Sequence, residues 1–189
     1  QVKYGEEFHV YPQSIRPQFS PIIHLSPKTQ EFPRFVLDTH LGKLASYLRM
    51  LGFDTIYQND YNDQRLAEIS SIEDRSMLYM DLGLLKRKVV IRGYYLRSTI
   101  PHNRLIEIIN RFQLLNKIKP FSRCIQCNGL LEPIHKSMIE MQLKEKNQKY
   151  YDEFQICESC LQIYWEGSHY QHMQEFIRQI ILQCTSNGI

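Results

Sequence analysis

The sequence predicts an α/β protein with an open parallel sheet flanked by helices, followed by a small metal-binding module and a C-terminal helix. Between residues 34 and 120, short apolar runs alternate with segments of helical periodicity, which is typical of parallel sheets with right-handed crossovers. Beyond residue 120, two Cys-x2-Cys motifs replace this alternation, and residues 170–183 have the apolar spacing of an amphipathic helix. We therefore divide the chain into units 34–120 and 121–189.

The apolar pattern of the first unit predicts strands and helices in strict alternation. Each strand is a short run of Phe, Val, Leu, Ile or Tyr, and each helix repeats apolar residues at i, i+3 and i+4. The predicted order is a strand at 35–37, a helix over 41–52, a strand at 55–57, a helix over 63–74, a strand at 77–79, a short helix near Leu84, a strand within 89–96 and a helix over 105–112.

Composition and chain start limit the class of protein. The chain of 189 residues is 43% hydrophobic and 23% charged, and no apolar run approaches the ~20 residues that span a bilayer. The chain begins at Gln1 with no signal-peptide pattern, so we expect the edge of a longer or processed chain, in a cytoplasmic protein with no membrane partner. Residues 1–33 contain five prolines and little periodicity, which predicts an extended linker or the remnant of an upstream domain.

Four of the five cysteines have the spacing of a zinc site. They form two Cys-x2-Cys motifs, and two such pairs supply the four thiolates that a closed, structural zinc site needs. A disulfide or redox motif is the alternative, but the odd cysteine count and the doubled motif favour zinc. The predicted ligands are Cys124, Cys127, Cys157 and Cys160.

Three aspartates are predicted to lie at one edge of the parallel sheet. Asp38 and Asp81 follow strands, and Asp63 begins the helix after the second strand. Ligands of such sheets bind beyond the carboxyl ends of the strands, and clustered carboxylates favour Mg²⁺ or Mn²⁺. The alternative is that each aspartate caps a helix. Asp54 and Asp60 are further candidates for the same site.

Basic residues are concentrated in one stretch. Between Lys86 and Lys119, nine lysines and arginines stand against one acid, Glu107, although the net charge of the chain is only +3. Clustered positive charge attracts polyanions, which favours a nucleic-acid partner, whereas a solvated helix face is the ordinary alternative.

Four basic residues of the first unit are candidate contacts for a nucleic acid. Lys43 and Arg49 lie off the apolar face of the first helix, while Arg92 and Arg97 flank the tyrosine pair of the fourth strand. Phosphates pair with the charges and bases can stack on the rings, which suits a single-stranded substrate. The alternative places a tyrosine in the core and leaves the arginines solvated.

Several segments resemble one known family. The run RFVLDTHLGKLASYLRMLGFDTIYQND closely resembles the Mut-seven carboxy-terminal RNase domain family, a branch of the PIN-like nucleases. The resemblance continues through LLKRKVVIRGYYLRS, SRCIQCNGLLEP and YDEFQICESCLQIYWEGSHYQHM, and covers about residues 34–173. It implies a PIN-like fold followed by a zinc ribbon, and metal-dependent cleavage of RNA that leaves a 5′-phosphate and a 3′-hydroxyl.

The resemblance also assigns roles by position. It implies that Asp38, Asp63 and Asp81 are the acids of the nuclease site, and it matches His169 to a family histidine that could reach phosphate. For His169, packing beside the zinc module is the alternative. The chain differs from the family at the third strand, where Tyr79 and Met80 stand in place of Thr and Arg.

Together these observations favour a ribonuclease that uses Mg²⁺ or Mn²⁺ at the three aspartates and zinc in the ribbon. The difference at Tyr79 and Met80 motivates an alternative, an RNA-binding or ribosome-associated module that keeps the fold but has lost cleavage. A third interpretation makes the zinc ribbon a platform for protein interactions.

Overall fold

The chain forms two sheets, one parallel and one antiparallel, in a computed structural model that describes residues 33–80 and 92–186. The elements in chain order are β1 (Phe35–Leu37), α1 (Gly42–Met50), β2 (Thr55–Ile56), α2 (Asp63–Ile72), β3 (Ser76–Tyr79), β4 (Gly93–Tyr95), α3 (Pro101–Arg111), β5 (Leu131–Ile134), α4 (Glu145–Tyr150), β6 (Phe154–Cys157), β7 (Ile163–Trp165) and α5 (Ser168–Ser186). The first sheet is parallel with the order β2-β1-β3-β4, and the second is antiparallel with the order β5-β6-β7. The predicted α/β class is confirmed.

Helices cover both faces of the parallel sheet. Successive side chains of a strand point to opposite faces, so Phe35 and Leu37 pack with α1, α3 and α5, while Val36 packs with α2. Because both faces are buried, the strands are continuous apolar runs rather than alternating ones. We call this sheet with α1, α2, α3 and α5 the α/β lobe.

Two helix boundaries differ from the prediction for local reasons. The periodicity predicts a helix to Asp74, but α2 ends at Ile72, because Asp74 adopts a left-handed conformation with φ 51°. The first helix is preceded by a 3-10 turn over Thr39–Leu41, so α1 itself begins at Gly42.

The antiparallel sheet belongs to the cysteine module, and one of its strands was not predicted. We call residues 121–167 the ribbon lobe. Strand β5 contains Pro133, which counts against a strand in the sequence. The structure accommodates Pro133 because β5 is an edge strand, where a missing backbone donor can face away from the neighbour. The segment 136–149 forms two 3-10 turns and the start of α4.

Helix α5 packs against the α/β lobe, although the predicted division at residue 120 groups it with the cysteine module. Ile177, Ile180 and Cys184 are buried in the same apolar cluster as the inner residues of β1 and α1. The ring of Phe176 stacks on Tyr47 of α1 at a centroid distance of 4.6 Å. The chain therefore returns to its first lobe after completing the ribbon.

Several predictions fall on residues that the structure does not describe. They are the linker 1–32, Asp81, the short helix near Leu84 and the basic residues Lys86, Arg87 and Lys88. Within 33–80 and 92–186, no helix has both the length and the apolar character needed to cross a membrane.

Candidate active site and zinc centre

The strand order puts the topological switch point of the sheet between β1 and β3. The chain leaves β1 through α1 on one face and reaches β3 through α2 on the other, so the connections diverge between these neighbouring strands. Ligands of open α/β sheets bind at the carboxyl ends of strands at such a switch point. We call this side of the sheet the carboxyl edge.

Asp38 lies at this switch point and is nearly buried. Its amide donates to the Leu78 carbonyl of β3 at 3.0 Å, and the residue is only 6% exposed. Oδ1 accepts hydrogen bonds from the amide of Thr39 at 2.6 Å and from its hydroxyl at 3.2 Å, so Asp38 does cap the turn that follows. Oδ2 lies 3.8 Å from Nδ1 of His40. Capping occupies mainly one oxygen, and each oxygen has two acceptor sites, so capping and metal binding are compatible.

Asp63 is at the same edge but does not cap its helix. The side chain of Asn62 accepts from the amide of Arg65 at 2.9 Å and is the N-cap of α2. Asp63 is therefore the first helical residue, where the helix dipole favours a carboxylate. Because α2 runs from the end of β2 back to the start of β3, its first turn lies at the carboxyl edge.

The third acid, Asp81, is outside the described residues, two positions beyond the end of β3. Among the residues that the structure does describe, the four cysteines are the one group of three or more His, Cys, Asp or Glu that could hold a metal. The three-aspartate site therefore remains a prediction, with two of its members placed at one edge.

The predicted RNA contacts divide between the two edges of the sheet. Lys43 is exposed in the first turn of α1, and Arg97 is exposed just after β4, so both lie near the carboxyl edge. Arg92 precedes β4 at the opposite edge, with Nε 3.4 Å from Oδ1 of Asp74. His169 is exposed in the first turn of α5.

Arg49 is placed where it does not fit the predicted contact with RNA. It is only 5% exposed, and its guanidinium donates to the carbonyls of Thr55 at 2.9 Å, Ile125 at 3.1 Å and Gln126 at 2.7 Å. The last two carbonyls belong to the first Cys-x2-Cys motif. Arg49 therefore joins α1 to the ribbon lobe instead of facing solvent.

The tyrosines of β3 and β4 pack against the two faces of the sheet. Tyr79 is 3% exposed, lies against α2 and has its ring 6.0 Å from that of Tyr95, which is partly buried, and burial raises the pKa of Tyr79. Tyr94 is partly buried on the other face and donates its hydroxyl to Glu107 at 3.0 Å. The Tyr79 ring is thus directed into the core.

The four cysteines converge into one cluster. Their sulfur atoms all lie within 4.8 Å of one another, with Cys124 and Cys160 at 3.6 Å and Cys127 and Cys157 at 3.3 Å. Four thiolates around Zn²⁺ at bonds of about 2.3 Å would be separated by about 3.8 Å, so the cluster fits a tetrahedral zinc site. All five cysteines are free of disulfides.

Hydrogen bonds around the cluster favour the thiolate of Cys124. Burial alone would raise the pKa of Cys124, but the hydroxyl of Tyr164 at 3.0 Å and the amide of Cys127 outweigh it and lower the pKa to about 7. The amide of Gly129 donates to the sulfur of Cys127 at 3.4 Å, but burial and the neighbouring thiols raise the pKa of Cys127 to about 12. Such donors to sulfur stabilise the charged form that binds metal.

A polar junction, not predicted from sequence, fixes the first Cys-x2-Cys motif to the α/β lobe. Asn128 donates to Asp54 at 2.8 Å and accepts from the amide of Thr55 at 2.8 Å. Asp54 also binds Arg75 at 2.7 Å, and these hydrogen bonds outweigh the effect of burial and lower its pKa. Asp54 precedes β2, at the edge opposite Asp38, so the structure excludes it as a ligand of the three-aspartate site. In the sequence, the only indication of this junction is that Asn128, a polar residue, directly follows the second cysteine of the motif.

The fold and the cysteine cluster define an α/β protein with acids at a switch point and a four-cysteine cluster that could hold zinc. The model of the Mut7-C RNAse domain matches residues 33–177, and the chain therefore belongs to that family. This membership confirms the resemblance seen in the sequence and indicates a function of nuclease type, with RNA as the implied substrate. Searches of curated proteins and of solved structures found no significant match to this chain.

Proposed function

We propose that this protein is a metal-dependent endoribonuclease that hydrolyses phosphodiester bonds of single-stranded RNA at the carboxyl edge of its parallel sheet. The observation that carries the proposal is Asp38, a nearly buried carboxylate held at the switch point between β1 and β3. Family membership supports the nuclease type of the activity.

Asp38, Asp63 and Asp81 are the proposed ligands of the catalytic ion. Carboxylate oxygens are the donors that Mg²⁺ and Mn²⁺ prefer, and the two placed acids lie at one edge. A divalent cation there would lower the pKa of a bound water and neutralise charge that develops on the phosphate.

The surrounding residues have supporting roles in this proposal. Thr39 fixes the carboxylate of Asp38 through two hydrogen bonds, and Tyr57 fixes the same turn by donating its hydroxyl to the Thr39 carbonyl at 2.8 Å. Lys43 and Arg97 supply positive charge near the edge for the RNA phosphates. The cysteine cluster holds zinc with all four positions filled by thiolates, so its role is structural.

A cleavage assay tests the proposal. The wild-type chain is incubated with a labelled single-stranded RNA, with Mn²⁺, with Mg²⁺ or without added divalent metal; omission is used rather than a strong chelator, which would also compete for zinc. We expect cleavage only with added metal, and a decrease of roughly 100-fold or more in Asp38→Asn and Asp81→Asn.

Asp152→Asn is the matched control, because Asp152 is an exposed aspartate of the ribbon lobe whose partner is Lys136 at 2.8 Å. This variant should cleave like the wild type. If every protein binds the RNA and none cleaves it above the metal-free level, the nuclease proposal is wrong. The alternative that Tyr79 and Met80 motivate, a binding module without cleavage, is then the better account.

A further inference from the structure

A basic pocket lies at the edge of the parallel sheet opposite Asp38. The pocket has a volume of about 320 Å³ and lies where the two lobes meet. Its lining includes four cations and one acid: Arg34, Lys117, Lys119, Arg123 and Asp54.

The fold brings these cations together from two distant parts of the chain, the start of β1 and residues 117–123. Arg34 precedes β1, and Arg123 precedes the first zinc-type cysteine. Lys117 ends a 3-10 turn, and the amide of Lys119 donates to the Leu51 carbonyl at 3.0 Å. This segment lies close against Gly52, where a Cβ atom would be 2.2 Å from the Lys119 carbonyl oxygen and φ is +91°. Gly52 is therefore required for the approach that builds the pocket wall.

The charge of the pocket favours an anion. Asp54, its one acid, is already bound by Arg75 at 2.7 Å and by Asn128 at 2.8 Å, and lies 3.7 Å from Arg123. The described lining thus carries four basic side chains against one carboxylate, and an excess of positive charge raises the local concentration of phosphate groups. Lys117 and Lys119 are also the last residues of the basic stretch in the sequence.

We infer that this pocket binds a phosphate group of the RNA chain at a distance from the cleavage edge. The inference rests on the proposed function for the identity of the ligand. Strand β1 has three residues and rises about 10 Å between the two edges, so an RNA of several nucleotides can reach both. The pocket thus contributes affinity for longer RNA and takes no part in the hydrolysis itself.

A binding experiment with a charge-matched control tests the inference. The affinity of a 16-nucleotide RNA is measured by fluorescence anisotropy over a range of salt concentrations, without added Mg²⁺ or Mn²⁺, so that binding is read independently of cleavage. The test variant is Lys117→Gln with Lys119→Gln, and the control is Lys144→Gln with Lys149→Gln, two exposed lysines of the ribbon lobe. Thermal unfolding of each variant confirms that it is folded.

We expect the test variant to bind the RNA about tenfold more weakly at low salt. The negative slope of log K against log salt should become shallower by about 0.7 for each phosphate contact that is removed. The control should remain near the wild type. Equal weakening of test and control variants would overturn the inference, because it would show a general charge effect.

Two further ligands identify the source of the phosphate. If the test variant loses the same affinity for an RNA with a 5′-hydroxyl as for one with a 5′-phosphate, the pocket binds internal phosphodiesters. If it loses affinity only for the 5′-phosphorylated RNA, the pocket binds the phosphate at the chain end. Competition by inorganic phosphate with no change in RNA affinity would contradict the inference. The outcome is separable from the nuclease proposal, since a protein that cannot cleave RNA can still lose affinity in the test variant.

Discussion

Two basic residues of helix α1 have opposite environments. Lys43 is exposed, with Nζ 5.2 Å from the ring centre of Tyr47, whereas Arg49 is buried and donates to backbone carbonyls of both lobes. A buried guanidinium loses hydration, which lowers the pKa of Arg49, and it is tolerated because carbonyl oxygens accept its hydrogen bonds. The two residues therefore differ in role, one available to a ligand and one structural.

Replacing Arg49 with methionine should separate these roles. Arg49→Met keeps the apolar bulk but leaves the carbonyls of Thr55, Ile125 and Gln126 without this donor. We expect a loss of about 3 kcal/mol in the free energy of unfolding, measured by urea titration at constant zinc.

Lys43→Met is the control on the same helix. Lys43 is exposed, so this variant should change stability by less than about 0.5 kcal/mol while weakening RNA binding. A stable Arg49→Met protein with weakened RNA binding would instead restore Arg49 as an RNA contact.

At the scale of single elements, helix α5 shows that an amphipathic pattern predicts a buried face but does not identify the surface against which that face packs. The apolar face of this helix is evident in the sequence, but most of the surface that it covers belongs to α1 and α3, and only its start packs on the neighbouring ribbon, where the ring of Tyr170 lies 4.4 Å from that of Phe121. The helix is therefore part of the core that supports β1 and the turn carrying Asp38.

Truncation of Ile180 should measure how much the packing of α5 contributes to the stability of the α/β lobe. Ile180 is fully buried in the apolar cluster, so Ile180→Ala should lower the free energy of unfolding by about 3 kcal/mol. Leu182→Ala, in the same helix at a side chain that is 51% exposed, should cost far less. Equal effects in urea unfolding would show that α5 does not pack on the α/β lobe in solution.

Each of the two cysteine motifs is followed by a residue in the left-handed backbone conformation, and the two residues differ in how well they tolerate it. The residue after the second cysteine of each motif has a positive φ, 74° at Asn128 and 59° at Leu161. Asn tolerates this left-handed conformation, whereas a residue such as Leu is disfavoured there by about 1 kcal/mol or more.

Leu161→Gly should therefore stabilise the ribbon lobe. Leu161 is 65% exposed and loses little burial, so relief of backbone strain should raise the free energy of unfolding by about 0.5 kcal/mol after the entropy of glycine is counted. Leu130→Gly, at an exposed leucine without a positive φ, should destabilise. Thermal unfolding at constant zinc compares the two, and destabilisation by both would contradict the strain argument.

At the scale of the whole molecule, the lobes are coupled through backbone groups of the first cysteine motif. Arg49 binds the carbonyls of Ile125 and Gln126, and Asn128 bonds to Asp54 and to the amide of Thr55 at the start of β2. These contacts depend on the conformation of the motif, which a zinc ion bound by the four cysteines would fix. We therefore expect metal binding and the stability of the α/β lobe to be linked.

Removal of zinc should reveal this link. We expect a competing chelator to unfold the ribbon lobe, seen as a change in the fluorescence of Trp165, the single tryptophan of the chain. The α/β lobe should lose about 2 kcal/mol of stability, because Arg49 loses two of its acceptors. Hydrogen exchange of the β1 and β3 amides measures the second effect. Unchanged exchange would show that the lobes are independent.

The distribution of charge is also a property of the whole molecule. The acids Asp38 and Asp63 lie at the carboxyl edge, whereas Arg34, Lys117, Lys119 and Arg123 surround the pocket at the opposite edge. This separation keeps the proposed phosphate contact away from the proposed cleavage site.

Local patterns in the sequence determined the elements of the fold and the cysteine cluster. Apolar periodicity placed β1, α1, α2 and α3 to within a few residues, because it depends only on neighbours along the chain. Cysteine spacing identified the metal centre for the same reason, since each motif presents its two thiolates within one turn. The position of Asp38 directly after an apolar strand placed it at the carboxyl edge.

Tertiary structure alone decided the roles of residues whose partners lie far along the chain. Arg49 and Lys43 are both polar positions of one helix, and only the docking of residues 125 and 126 buries Arg49. Asp54 is an acid beside a strand like Asp38, but strand direction places it at the other edge, where Asn128 and Arg75 bind it. The basic pocket likewise exists only after folding, because Arg34 and Arg123 become neighbours through packing between lobes, which no local pattern of side chains encodes.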